Sequence, residues 1–98
     1  MKISEILAKK KTLSFEIFPP KREEDTFTLI DKTIRQLGKY SPDYISVTYG
    51  ALGNTLSNPA MIAKTIKDNT SAQPLAHLTC VASTRDKVDS VCNELMNY

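Results

Sequence analysis

Hydrophobic and polar residues alternate along three short segments of the chain, and a segment with helical periodicity follows each of them. Alternation predicts a strand with one buried face, whereas apolar residues every three or four positions predict an amphipathic helix. The predicted strands are residues 13–18, 44–49 and 74 through 79 or 80. Their starts lie about 30 residues apart, the length of one parallel βα unit.

Four helices are predicted around these strands. Residues 1–10 and 24–40 have helical spacing, and a third helix begins at Pro59 after a cap at Asn58. The last helix is expected to open with a capping box formed by Ser83 and Asp86. The positions expected to face inward on the third and fourth helices are Ile62, Ala63, Ile66, Val88, Val91, Cys92 and Leu95.

Each predicted strand has one apolar and one polar face, because side chains two residues apart share a face. The polar faces carry Ser14 and Glu16, Ser46 and Thr48, and His77 and Thr79. A sheet covered by helices on both faces would be apolar throughout. Of the two architectures that βα repeats allow, a doubly wound sheet and a (β/α)₈ barrel, the pattern favours the barrel. The predicted fold is α/β, a partial TIM barrel of about the first three βα units.

Composition narrows the function classes. The chain has 98 residues, which predicts a single domain over residues 1–98, and its net charge of +2 is too small to indicate a nucleic-acid or membrane partner. No apolar stretch approaches the roughly 20 residues that span a bilayer, and the N-terminus lacks the apolar core of a signal peptide. We therefore expect a cytoplasmic protein. Cys80 and Cys92 are expected to be small buried residues, and no metal site is predicted.

Glu16 is the candidate with the clearest chemical implication. It lies within a strand predicted to be buried, where an unpaired charge costs on the order of several kcal/mol. Burial raises the pKa of a carboxyl group, so a glutamic acid in this position could act as a general acid. A structural ion pair with a lysine is an equal alternative from position alone.

Further candidates follow the predicted strands, because binding groups in parallel α/β folds lie at the carboxyl ends of strands. Thr48, Tyr49, Ala51 and His77 occupy such positions and are expected to converge with Glu16 on one rim. His77 could be a base, a ligand-orienting donor or a core histidine bonded to the backbone. Tyr49 could contact a flat ligand or cap the rim, and Thr48 suits a strand by propensity alone.

Three motifs resemble the N-terminal part of the methylenetetrahydrofolate reductase family. Residues 14–20 read S-F-E-I-F-P-P where that family usually has S-F-E-F-F-P-P, residues 46–51 read S-V-T-Y-G-A, and residues 77–80 read H-L-T-C. Ile17 therefore replaces a phenylalanine. The resemblance implies an FAD-containing (β/α)₈ barrel that reduces 5,10-methylenetetrahydrofolate to 5-methyltetrahydrofolate with NADH or NADPH, in one-carbon metabolism and methionine synthesis.

The same resemblance implies a role for each candidate. Glu16 would protonate the folate and open its five-membered ring to an iminium. Thr48 would lie near the nicotinamide and substrate side of the flavin, and Tyr49, Ala51 and His77 would contact FAD. Homo-oligomer formation is left open.

The chain is short for such a barrel, which needs about 250 residues. We therefore expect a truncated form with little or no activity alone. The alternative is a non-catalytic barrel fragment that acts as an association or binding module.

Overall fold

Helices and strands alternate along the chain. The computed structural model describes residues 2–18, 23–48, 59–81 and 83–98. Within them the elements are α1 (Ile3–Lys9), β1 (Ser14–Ile17), α2 (Glu23–Gly38), β2 (Tyr44–Val47), α3 (Pro59–Asn69), β3 (Gln73–Ala76) and α4 (Arg85–Leu95). The predicted βα order is confirmed, and Pro59 is the first residue of α3 as expected. The cap expected at Asn58 lies outside the described residues.

The three strands form a parallel sheet in the order β1-β2-β3. Glu16 pairs with Ser46 and Ile17 with Val47, while Ser46 and Val47 pair with Leu75 and Ala76 of β3. Each strand therefore lies beside the next one along the chain, as in successive βα units. The α/β class with parallel repeats is confirmed. Closure into a barrel is not a property of these three strands and stays a prediction.

The hydrophobic core lies on one face of the sheet. β1 and β2 contribute Ile17, Ile45 and Val47 to it, and α2 contributes Ile30 and Ile34. The predicted inward positions of α3 are confirmed, because its buried residues include Ile62, Ala63 and Ile66. The polar residues of the strands lie on the opposite face, called here the open face. Helices on one face and a polar surface on the other is the arrangement that the alternation predicts.

β3 is shorter than the sequence predicts. It ends at Ala76 rather than at Thr79 or Cys80. Its partner β2 ends at Val47, which pairs with Ala76, so no strand residue of β2 remains to pair with the residues after Ala76. The last bond runs from the His77 backbone N–H to the Val47 carbonyl at 3.1 Å. His77 and Thr79 therefore follow the strand instead of lying in it.

Two expectations about α4 are wrong. The N-cap is Thr84 rather than Ser83, since the Thr84 hydroxyl accepts a hydrogen bond from the Lys87 N–H at 3.2 Å. The helix buries no residue completely, and Cys92 is exposed. Among the described elements only α3 packs substantially against α4, which leaves most of the α4 surface to solvent. Cys80, also expected to be buried, is exposed beyond the end of β3.

Asp43 joins the amino ends of all three strands. Its N–H donates to the Leu13 carbonyl at 2.8 Å, and its carbonyl accepts from the Gln73 N–H at 3.0 Å. Its carboxylate accepts from the Leu13 N–H at 2.9 Å and pairs with Lys10 at 2.6 Å. The hydrogen bond from Lys10, and after it the one from Leu13, lowers the pKa of Asp43 below its ordinary value. This end of the sheet is therefore held by a charged, largely covered side chain.

Within the described residues, no helix combines the length and the apolar character needed to cross a bilayer.

Candidate functional site

The carboxyl ends of the strands position the site. The Thr48 N–H donates to the Ile17 carbonyl at 3.0 Å, and the His77 N–H donates to the Val47 carbonyl at 3.1 Å. Each residue therefore continues the ladder one position beyond its strand. Since side chains alternate along extended backbone, Thr48 and His77 lie on the open face, opposite the buried side chain of Val47. Glu16 lies on that face too, one residue before the end of β1.

The side chains of Thr48 and His77 both approach the same carboxylate oxygen of Glu16. The Thr48 hydroxyl donates a short hydrogen bond to Oε1 of Glu16. Nδ1 of His77 lies 3.9 Å from the same Oε1, beyond hydrogen-bond range but close enough for an ion pair when the imidazole is protonated. The predicted convergence on one rim is therefore confirmed in position for these three residues. Their chemical roles stay predictions.

The expected burial of Glu16 is wrong. Its side chain is 43% exposed, because the described residues place no layer over the open face. The sequence shows alternation but not what covers each face, so it could not separate a covered strand from an open one. The desolvation on which the general-acid expectation depended is therefore not supplied by the described residues. The contact with Thr48 remains.

The alternatives left open for Glu16 and His77 are narrowed by the same geometry. Among the described residues, the recorded side-chain partners of Glu16 are a threonine and a histidine, not a lysine. His77 is not a core histidine: its side chain is 42% exposed and faces a carboxylate. Phe18, the residue after β1, is 72% exposed.

Two predicted cofactor contacts, Tyr49 and Ala51, lie outside the described residues. Their assignment therefore stays a prediction. The described residues contain no group of three or more histidine, cysteine and acidic side chains that could hold a metal ion.

Two hydroxyl groups in the segment between β3 and α4 are buried in a way that the sequence did not indicate. Thr79 Oγ1 and Ser83 Oγ are buried and have no hydrogen-bond partner among the described residues. A buried hydroxyl without a partner is destabilising. The pattern assigned Thr79 to a strand and Ser83 to a helix cap. Their burial without a hydrogen-bond partner could therefore not be recognised before the end of β3 and the true cap were known.

Two cavities lie at the other end of the sheet. One, of about 510 Å³, is lined by Ile6, Lys9, Lys10, Ser41, Pro42, Asp43, Ser71 and Gln73. The other, of about 560 Å³, is lined by Lys2, Ile3, Glu5, Gln73 and Pro74. Neither includes Glu16, Thr48 or His77. In parallel α/β folds the chemistry belongs to the carboxyl ends of strands, so we place the candidate site on the open face.

Comparisons with known proteins bear on this site. A family model described as methylenetetrahydrofolate reductase matches residues 2–98. The 5,10-methylenetetrahydrofolate reductases of Salmonella typhimurium and Escherichia coli are 35% and 36% identical to the chain over 85 residues. These matches cover 87% of this chain but 28% of each relative. A rice protein named probable methylenetetrahydrofolate reductase (NADH) is 34% identical over 89 residues, covering 90% of this chain and 15% of that protein.

Proposed function

The chain belongs to the methylenetetrahydrofolate reductase family, as its three motifs indicated, and we propose that it forms part of the active site of a flavin-dependent reductase of 5,10-methylenetetrahydrofolate. The product would be 5-methyltetrahydrofolate, and the electron donor NADH or NADPH. Family membership supports the reaction class. The chain spans 28% of its bacterial relatives, so the activity of the whole protein is part of the proposal.

The observation that carries the proposal is the approach of Thr48 and His77 to one oxygen of Glu16. Three successive βα units each contribute one of these side chains at the carboxyl end of a strand. A carboxyl group placed by hydroxyl and imidazole neighbours is suited to hold and transfer a proton.

Glu16 would act as the general acid. Its carboxyl proton would move to a ring nitrogen of the folate, the bond between that nitrogen and the bridging carbon would break, and the folate would become an iminium. The carboxylate left behind corresponds to the state that accepts the Thr48 hydrogen bond. Thr48 and His77 would keep this carboxylate directed towards the open face.

The donor set on the open face fits a flavin. A hydroxyl and a partly exposed imidazole can hydrogen-bond the edge of a flat heterocycle, and their face is not filled by core side chains. We propose that Thr48 and His77 face FAD, together with Tyr49 and Ala51 by family resemblance. Bound FAD would supply the hydride that converts the iminium to the methyl product.

The decisive experiment is Glu16→Gln, because glutamine keeps the size of the side chain but cannot donate a carboxyl proton. It is made in the chain and in a chimera in which this chain replaces the matching segment of the E. coli relative. We expect stoichiometric flavin absorbance in the chimera, and a loss of folate-dependent NADH oxidation of about 100-fold or more in the variant.

Glu94→Gln, near the end of α4, is the matched control and should leave turnover unchanged. Wild-type turnover in the Glu16→Gln chimera, or a correctly folded chimera without flavin, would overturn the proposal.

A second candidate function is an association module without chemistry. It is favoured by the two outer strands of the described sheet, β1 and β3, whose free edges could pair with another chain. Light scattering during size-exclusion chromatography tests it. Under this alternative the chain is a dimer or larger, and Glu16→Gln alters stability without altering any turnover.

We also propose a cytoplasmic protein with a folate substrate and no nucleic-acid or membrane partner. The support is the small net charge of +2 and the scatter of its basic residues.

A further inference from the structure

We propose, building on the proposed function, that Thr48 and His77 are positioning residues that make the two oxygens of Glu16 inequivalent. Oε1 is the oxygen that these two residues approach, and Oε2 is the oxygen that carries the transferable proton. His77 would therefore act through Glu16 as well as facing the flavin.

The asymmetry is visible in the contacts. The Thr48 hydroxyl and Nδ1 of His77 both approach Oε1, one by a hydrogen bond and the other at 3.9 Å. Among the described residues, no hydrogen bond or ion pair reaches Oε2. A carboxyl group held by one oxygen presents the other to a ligand on the open face, where it can release a proton without breaking the bond that orients it.

Both contacts come from side chains with fixed backbones. Thr48 and His77 each donate their N–H to the carbonyl of the last residue of the neighbouring strand. Thr48 is β-branched, which restricts its χ1 angle. The Glu16 side chain is 43% exposed, so packing leaves it free to move. Its direction therefore depends on its two polar neighbours.

Charge on this face is limited to a few groups. By alternation, the titratable side chains of the three strands on the open face are Glu16, Tyr44 and, directly after β3, His77. Tyr44 lies at the far end of β2, paired with Ser14 and Gln73. Among these side chains His77 is the one recorded beside Glu16, and its imidazole attracts the carboxylate when it is protonated.

The first test is a double-mutant cycle on turnover. In the chimera, Thr48→Val should lower folate-dependent turnover about tenfold through the loss of one hydrogen bond to a charged group, and Thr48→Ser should recover most of it. His77→Asn should lower it severalfold, because the imidazole beside Oε1 of Glu16 is lost. In a Glu16→Gln background both losses should be clearly smaller, because the part that acts through the carboxyl group is already gone. Thr65→Val, which removes a hydroxyl on α3, is the control for loss of a threonine hydroxyl.

The second test does not depend on activity. His77 is the only histidine in the chain, so its imidazole signals in an NMR spectrum need no assignment. At constant pH, Glu16→Gln should move these signals, and Glu94→Gln should leave them in place.

Fully additive losses in the Glu16→Gln background would show that neither Thr48 nor His77 acts through Glu16, and would overturn the inference while leaving the proposed function intact. Unmoved imidazole signals would overturn it as well. By contrast, a Glu16→Gln variant that keeps full turnover would overturn the proposed function itself.

Discussion

Gly38 and Thr70 approach each other so closely that a methyl group at position 38 would lie 2.8 Å from Cγ2 of Thr70. Gly38 ends α2, and Thr70 follows α3 directly. The Thr70 hydroxyl donates to the Ile66 carbonyl at 2.7 Å and accepts from the Ala72 N–H at 3.1 Å, so this side chain is not free to rotate away. The packing of α2 against α3 therefore requires glycine here.

Gly38→Ala should destabilise the protein. Alanine is the better helix former by about 1 kcal/mol, but a forced contact with a fixed neighbour costs about 1–3 kcal/mol. We expect a net loss in urea denaturation. Thr70→Ser removes Cγ2 and keeps both hydrogen bonds, so the double variant should recover most of the loss. A Gly38→Ala protein as stable as the wild type would show that the helices separate easily.

The stability of the fold should fall in acid through Asp43. Its pKa is lowered in the folded state, first by the hydrogen bond from Lys10 and then by that from Leu13. A carboxyl group whose pKa is lower in the folded state than in the unfolded state stabilises the fold when it is ionised. This contribution is complete above the ordinary pKa of 3.8 and is lost as the pH falls below it. Asp43→Asn should therefore flatten the acid limb of a plot of unfolding free energy against pH.

Lys10→Met removes the larger cause of this lowering and leaves the Leu13 hydrogen bond. Its acid limb should lie between those of the wild type and Asp43→Asn. Lys9→Met, one residue earlier on α1, is the control. An acid limb that survives in Asp43→Asn would place the responsible carboxyl group elsewhere.

Truncation of Ile45 should cost far more stability than truncation of Leu29. Ile45 is completely buried between β2 and the helices, whereas Leu29 is 50% exposed on α2. Replacing a buried isoleucine by alanine costs about 2–5 kcal/mol, and surface changes stay within about 0.5 kcal/mol. Chemical denaturation of both variants measures the difference. Equal losses would mean that the core does not lie where the helices meet the sheet.

The start of α4 offers a matched pair of hydroxyl deletions. Thr84→Ala should cost about 1 kcal/mol, because the Thr84 hydroxyl accepts from Lys87 at the helix terminus. Ser83→Ala should be neutral or stabilising, since its buried hydroxyl has no partner among the described residues. Thermal unfolding of the two variants tests the assignment of the cap. If Ser83→Ala were the less stable variant, Ser83 rather than Thr84 would be the N-cap.

The sequence predicts the core well because burial on a sheet follows a simple period. Alternation places Ile45 and Val47 on one face, and a spacing of three and four places Ile62 and Ile66 on the inner side of α3, as the structure confirms. The convergence of Glu16, Thr48 and His77 follows from the same period together with the parallel order of the strands. These features depend on local pattern and topology alone.

Other features depend on what surrounds each element. The exposure of Glu16 is set by the absence of a covering layer among the described residues, which no pattern within β1 records. Either Ser83 or Thr84 could cap a helix, because both carry a hydroxyl group. Which of them does so depends on where the segment after β3 ends and α4 begins. The end of β3 is decided by its neighbour, since β2 stops at Val47.

The register of the sheet has a consequence for how folding quality could be monitored. Glu16 pairs with Ser46, which brings Thr48 to the same side two residues later. Displacing β2 by a single position would turn Thr48 towards the helices and send Val47 into solvent. Such a misaligned chain would keep its helical and strand content, so circular dichroism would hardly distinguish it. The hydrogen bond from the Thr48 hydroxyl to the Glu16 carboxylate would be lost. Its presence therefore reports that β1 and β2 are paired in the correct register.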